Sequence, residues 1–306
     1  MSAVIRASQL VKTYGELRAV DGIDFEVAPG ESFGLLGPNG AGKSTIMRMI
    51  GATLQRTSGD LEVVGLDPNL HGPEVRAHLG VVPQQDNLDE ELKVRENLVM
   101  YGRYFGLPLR HLNPLADELL AFAQLTDNAN QRVENLSGGM KRRLTIARGL
   151  INNPRILLLD EPTTGLDPQA RHILWDRLFQ LKERGVTLVV TTHFMDEAEQ
   201  LCDRLVVIDR GKIMAAGSPA ALISRYSSRE VLEMRFGSAR NAKVIEQLSN
   251  IGRLELLPDR VLVYTDDGEQ ALDEVSRRAL HPLTSLVRRA SLEDVFLRLT
   301  GRTLIE

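Results

Sequence analysis

Cysteine is all but missing. Cys202 is the one thiol in 306 residues, so no internal disulfide can form and a reducing compartment is the natural setting. A lone thiol of this kind reads as a small buried hydrophobe. Long apolar runs are also lacking. The longest, Ile156–Leu159 and Thr187–Val190, have strand length and cannot span a bilayer. The opening MSAVIRASQLVKTYG has none of the charged-then-apolar layout of a signal peptide. Any action at a membrane would then run from the cytosol, through a partner. Basic charge is not in excess: the net charge is −4, which argues against nucleic acid as the main partner. Aromatics make up 5% of the chain, and neither internal repeats nor low-complexity segments occur.

What is present is ordinary for a globular protein: 43% hydrophobic and 25% charged residues, in a chain long enough for about two domains. Short apolar strands alternate with helical patterns. SFGLLG, DLEVVG, GVVPQ, ILLLD, VTLVVTT, RLVVID and KIMAAG read as strands. Ile46–Leu54, Arg95–Gly106, Leu115–Leu125 and Lys141–Leu150 read as helices. A further helix starts at Asp167-Pro168, with Asp as N-cap and Pro at the first helical position. This alternation predicts an α/β fold with a mostly parallel sheet. The pattern changes across Ser218–Ser228. Beyond it come a strand (Val231–Phe236), a helix (Ala239–Ser249), two strands (Arg253–Leu257, Arg260–Thr265), a helix (Glu269–Leu280), a strand (Thr284–Arg289) and a last helix (Ser291–Thr300). The order β-α-β-β-α-β predicts a small ferredoxin-like domain.

Two glycine loops each open a predicted helix. The first, Gly37-Pro38-Asn39-Gly40-Ala41-Gly42-Lys43-Ser44-Thr45, fits G-x-x-x-x-G-K-[ST] after a strand and before a helix. Its glycines let the backbone wrap phosphate oxygens, Lys43 would reach the β- and γ-phosphates, and Ser44 would hold Mg²⁺. ILLLDEP adds an acidic pair at the end of a buried strand, where α/β folds bind ligands. Asp160 would hold Mg²⁺, and Glu161 would act as general base toward water. The second loop, Leu136-Ser137-Gly138-Gly139-Met140, has the same helix-opening form and raises the question of why one nucleotide would need two cradles. The run Lys141-Arg142-Arg143 reads as the solvated face of the helix that follows.

LSGGM resembles the signature motif of ATP-binding cassette (ABC) ATPases, and other parts of that family follow in order across residues 1 to about 217. The resemblance implies an adenine-stacking role for Tyr14, a Q-loop role with access to the metal for Gln84, a D-loop at Gly165-Leu166-Asp167 and a switch role for His193. It also implies a cassette over residues 1–224, with an antiparallel β subdomain and a helical subdomain at about 86–153, and a small α+β domain over residues 225–306. In this family two cassettes stack head to tail, so that Ser137, Gly138 and Gly139 of one chain cap the ATP held by the other. That would account for two cradles in one chain and makes a homodimer the expected state. FGLLGPNGAGKST, VVPQQDNLD, VRENL, YGRYFG, LSGGMKRRLTIAR, DEPTTGLDPQAR, TTHFMDEAEQLCDRL and SLEDVFLRLTGR resemble, more narrowly, the NodI-type ATPases of nodulation-factor (lipo-oligosaccharide) exporters. This implies ATP and Mg²⁺ as ligands, a separate polytopic ABC-2 type permease as partner, and a place on the cytoplasmic face of the inner membrane. A related ABC-2 exporter for drugs, lipids or polysaccharide is the alternative. In the family the segment Glu91–Phe105 receives the membrane subunit, and Tyr101, Tyr104 and Phe105 concentrate aromatics there; internal packing of the helical subdomain is the competing account. A soluble ABC ATPase of ribosomes or DNA would be expected to carry a second cassette or long coiled coils, an importer a longer β-rich tail, and a purely structural role a dead site.

Overall fold

The computed structural model describes residues 3–237 and 244–301. The chain divides into two compact units, Met1–Ser218 and Pro219–Glu306.

In the first unit, β1 (Ile5–Tyr14) and β2 (Leu17–Val27) form an antiparallel pair, and β4 (Ser58–Val63) joins on the other side of β1. Between them in sequence, β3 (Ser32–Leu36) enters a second sheet. That sheet holds β5 (Leu79–Val82), β6 (Ile156–Asp160), β7 (Thr187–Thr192), β8 (Arg204–Asp209) and β9 (Lys212–Gly217), in the order β5-β6-β7-β3-β8-β9. All neighbours are parallel except β8 and β9. Every residue of β3 and β7 is buried, which is why these strands read as continuous apolar runs rather than alternating ones. The β8–β9 hairpin turns on Arg210 and Gly211, both at positive φ, the condition for a two-residue loop that matches strand twist.

Helix α1 (Lys43–Ile50) follows β3 directly. Its Ile46, Met49 and Ile50 join one apolar core with Ile5, Leu10 and Val27 of the antiparallel sheet and Leu35, Leu158 and Val189 of the parallel one. The two sheets are thus glued through the helix that carries the first glycine loop. A short α2 (Gly72–Ala77) leads into β5, and α3 (Val94–Tyr104), α4 (Leu109–Phe122) and α5 (Gly138–Gly149) pack on one another as a helical group. α4 starts earlier than its pattern suggested and runs through Pro114, its sixth residue, where the missing N–H forfeits one i→i−4 bond. α6 (Pro168–Glu183) buries Leu174, Leu178 and Leu181, and its N-cap Asp167 accepts from the Ala170 N–H at 2.9 Å. α7 (Met195–Leu201) leaves the end of β7.

The second unit starts with α8 (Pro219–Tyr226) and builds an antiparallel sheet from β10 (Glu230–Arg235), β11 (Arg253–Leu256), β12 (Val261–Thr265) and β13 (Thr284–Arg289), in the order β11-β12-β10-β13. This is the ferredoxin-like order. α9 (Gly268–Arg277) covers one face through Ala271 and Val275, and α10 (Leu292–Thr300) places Leu297 against Val231, Leu262 and Tyr264 on the other. Much of the helix expected at Ala239–Ser249 lies outside the described residues; the described remainder includes a 3₁₀ turn, Glu246–Leu248. Among the described residues no helix is long and apolar enough to cross a membrane.

Candidate functional site

The loop between β3 and α1 is held tightly from below. Gly42 sits at φ 108°, and a Cβ there would lie 2.3 Å from the Ala19 carbonyl oxygen; at Gly37 it would lie 2.2 Å from that of Ile208. Neither position admits another residue without moving backbone. The loop opens onto a cavity of about 530 Å³ lined by Tyr14, Leu17, Ala19, Asn39, Gly40, Gly42, Lys43, Ser44, Thr45, Gln84 and Glu161. Tyr14 stands at its rim, 43% exposed, with Lys12 Nζ 5.2 Å from the ring centre.

Lys43 is buried. Its Nζ donates to Gly37 O at 2.7 Å and Pro38 O at 3.0 Å and lies 3.7 Å from Glu161 Oε1. Burial pulls its pKa below the usual lysine value, while Glu161 and Asp160 act in the opposite direction. An ammonium held this way has an anionic partner on one side only, and it gains from a second anion such as a phosphate.

Glu161 is the centre of the constellation. It is buried, and its Oε2 accepts from Gln84 Nε2 at 3.0 Å and from Thr164 Oγ1 at 3.2 Å. His193 Nδ1 lies 3.2 Å from Oε1, within ion-pair distance but without the alignment of a hydrogen bond. The residue stands at φ 47°, a left-handed conformation that costs a non-glycine residue about 1 kcal/mol or more. Its N–H donates to Thr191 O at 3.1 Å and Thr191 Oγ1 at 3.0 Å. Thr191 Oγ1 also donates to Asp160 Oδ1, which accepts from Ser44 Oγ at 3.3 Å as well.

Tyr14, the loop Gly37–Thr45, Gln84, Asp160, Glu161 and His193 therefore meet. Ser137, Gly138, Gly139 and Asp167 do not join them. They line a separate cavity of about 390 Å³, with Met140, Arg143, Gly165 and Ala170, that shares no residue with the first. Ser137 is the N-cap of α5, its Oγ accepting from the Met140 N–H at 3.3 Å.

Three contributors escaped the sequence reading. Thr164 and Thr191 were detectable only as hydroxyls in the stretches EPTTG and VVTTH. Arg142 overturns the solvated-face reading of Lys141-Arg142-Arg143. It is 3% exposed, and its guanidinium bonds backbone carbonyls of Pro83, Asp160, Glu161 and Pro162. The reason is positional: α5 turns this side chain toward the ends of β5 and β6, where backbone carbonyls crowd at the strand exits. Of the aromatics on α3, Tyr104 is 80% exposed, while Tyr101 packs under Arg148 and edge-on to Phe105. Internal packing accounts for Tyr101, whereas Tyr104 touches the fold through the edge of the Tyr101 ring and leaves most of its surface outside.

The family model for ABC transporters matches residues 20–164, and that for the C-terminal domain of the nodulation factor export protein NodI matches residues 241–301. The chain is 50% identical over 291 residues to Nod factor export ATP-binding protein I of Rhizobium sp. (strain N33), covering 95% of each chain. It is 48% identical over 300 residues to the protein of that name in Paraburkholderia xenovorans (strain LB400), covering 98% of each. Among solved structures, a dimeric post-hydrolysis state of the ATP-binding cassette MJ0796, bound to ADP and Pi, matches with a TM-score of 0.64 at 30% identity, over 70% of this chain and 98% of that one. CbiO1 of Clostridium perfringens, part of the ABC transporter complex CbiONQ, matches with a TM-score of 0.68 at 26% identity, over 73% and 92%.

Proposed function

The chain belongs to the family of Nod factor export ATP-binding proteins, ABC ATPases that serve as nucleotide-binding subunits of exporters, and on that premise we propose a head-to-tail homodimer that hydrolyses ATP to drive export of a lipo-oligosaccharide of the nodulation-factor class. One observation carries the proposal. The chain holds two cradles in separate cavities, and only the first contains a buried lysine and a buried carboxylate. The second offers helix-start N–H groups and a serine hydroxyl, which suit the γ-phosphate of a nucleotide seated in another copy.

In this reading Tyr14 stacks on adenine, the N–H groups of Gly37–Thr45 wrap the phosphates, and Lys43 turns to the β- and γ-phosphates. Ser44, Asp160 and Gln84 offer a hydroxyl, a carboxylate and an amide oxygen, the hard donors that Mg²⁺ takes together with phosphate oxygens, and Ser44 and Asp160 already lie within bonding distance. Bound there, Mg²⁺ would neutralise phosphate charge. Glu161 orients a water and accepts its proton as the water oxygen attacks the γ-phosphorus; the bond to the bridging oxygen breaks, and its electron pair leaves on ADP. His193 senses the γ-phosphate from the end of β7, and Asp167, at the start of α6, links the two composite sites. Loss of phosphate removes the bond between chains and the dimer opens. The membrane is reached through a separate ABC-2 type permease, at the cytoplasmic face. Its docking place is the groove of about 280 Å³ around Met100, Tyr101 and Tyr104, where Tyr104 is 80% exposed and meets Tyr101 only edge-on.

The test is affinity purification of tagged Glu161→Gln chain from solubilised native membranes with ATP and Mg²⁺, read by mass spectrometry. A stoichiometric polytopic protein is expected, and Tyr104→Ala should lose it. Recovery of the chain alone, dimeric and free of any membrane protein, would overturn the exporter assignment.

A further inference from the structure

The signature helix α5 and the catalytic carboxylate belong to different half-sites, yet one side chain joins them. Arg142 lies on α5, five positions after Ser137, and its side chain is 4% exposed. Every nitrogen of its guanidinium is engaged. Nε donates to Pro162 O at 2.7 Å, Nη2 to Asp160 O at 3.1 Å and Glu161 O at 3.2 Å, and Nη1 to Pro83 O, Gln84 O and Asp86 Oδ1 at 2.5, 3.4 and 3.1 Å. Apart from that of Asp160, which closes β6, the carbonyls come from the two loops that follow β5 and β6. The bonds close a ring: Arg142 holds the Gln84 backbone, the Gln84 amide holds the Glu161 carboxylate, and Arg142 holds the Glu161 carbonyl. Glu161 also stands in a strained left-handed conformation, which persists only where its surroundings over-determine it. A guanidinium supplies five donors in a fixed fork; no other side chain could meet this set of acceptors.

We infer that Arg142 is a positioning residue: it fixes the Glu161 backbone and the Q-loop to the signature helix, so that ATP capped by Ser137 in the partner's site sets the carboxylate geometry in this chain's own site. The inference rests on the head-to-tail reading above and adds a path between its two composite sites. ATP contact at the start of α5 would shift that helix along its axis, and Arg142 carries the shift to both loops at once.

The test uses full-length Arg142→Gln, Arg142→Lys and Asp86→Asn, with kcat, KM, the Hill coefficient for ATP and the affinity of the chain for a fluorescent ATP analogue. Arg142→Gln, left with two donors, should lower kcat about tenfold or more through misplacement of Glu161. Analogue affinity should stay within about twofold, because no phosphate-loop contact is touched, and the Hill coefficient should fall toward 1. Arg142→Lys keeps the charge but not the fork and should recover little. Asp86→Asn, at the more exposed end of the network, should keep the fold and lower the Hill coefficient with a smaller loss of kcat. An Arg142→Gln chain with wild-type kcat and Hill coefficient would overturn the inference. So would losses that only track the folded fraction while Asp86→Asn behaves as wild type. If Glu161→Gln chain stays monomeric with ATP and Mg²⁺, the head-to-tail reading fails and the inference with it. A dimer that forms normally while Arg142 proves silent removes the inference alone.

Discussion

The two cradles have the same local form and opposite chemistry. Around Gly37–Thr45, Lys43 and Glu161 are buried and paired with each other, half-buried Asp160 bonds Ser44, and Gln84 and His193 stand against Glu161. Around Ser137–Gly139 the lining offers backbone groups, a serine and the exposed Asp167 side of α6, with no buried charge among the residues lining it. A helix start can bind an anion in either place. Only the first also holds a buried lysine and a buried carboxylate that can take a proton. Residues of equal apparent importance in the sequence should therefore fail in different ways.

The largest effect should come from the first cradle. Glu161→Gln is expected to lower ATP turnover by about 10²–10⁴ while keeping nucleotide binding, and to trap an ATP-bound dimer by size-exclusion chromatography. Turnover at the wild-type rate would remove the carboxylate from its role and erase the contrast. The second cradle should fail in trans. Ser137→Arg alone and Lys43→Ala alone should each be inactive. An equimolar mixture should recover about a quarter of wild-type turnover at most, half of the dimers being mixed and each keeping one intact composite site. No recovery in the mixture would mean that each chain closes its own site.

The smallest effect concerns a carboxyl that neither cradle uses. Glu197, on α7 four residues after His193, is fully buried; the Thr163 hydroxyl and Trp175 N–H face its carboxyl without the alignment of good hydrogen bonds. Burial raises its pKa to about 7, with Thr192, Thr163 and Trp175 acting weakly the other way and Asp196 adding to the rise. The folded state then holds a proton that the unfolded chain releases from about pH 4.5, so this contribution to stability is complete below that pH and is lost as pH rises through about 7. Between pH 5 and pH 8 the Tm of wild type should fall relative to that of Glu197→Gln, by a difference on the order of 5 °C. Parallel curves would show that Glu197 titrates as an exposed carboxylate does.

Both cradles could be read from the sequence because each depends on short contiguous stretches: glycines where the backbone bends, a lysine and a serine at fixed spacing, an acidic pair ending an apolar strand. The buried parallel strands could be read for the same reason. Elements that depend on distant partners were less visible. α4 runs through Pro114, a residue that taken alone marks a boundary. Thr164 and Thr191 are ordinary hydroxyls until Glu161 and Asp160 arrive beside them. Arg142 is the sharpest case. In sequence it is the middle of a basic run; in the fold its neighbours Lys141 and Arg143 pair with Glu90 and with the Ala123 carbonyl, while Arg142 alone is closed off from water.

The sequence by itself determined the phosphate loop, the acidic pair and the second glycine cradle, since local backbone demands and side-chain chemistry fix these within a few residues. Only the tertiary structure decided that the two cradles open into different cavities and that Glu161 is held by Gln84, Thr164 and Thr191. The same holds for the bridge that Arg142 makes between α5 and the end of β6. Each of these depends on which loops the parallel sheet brings to the same edge, and no local pattern encodes the meeting of carbonyls and donors that lie far apart in the chain.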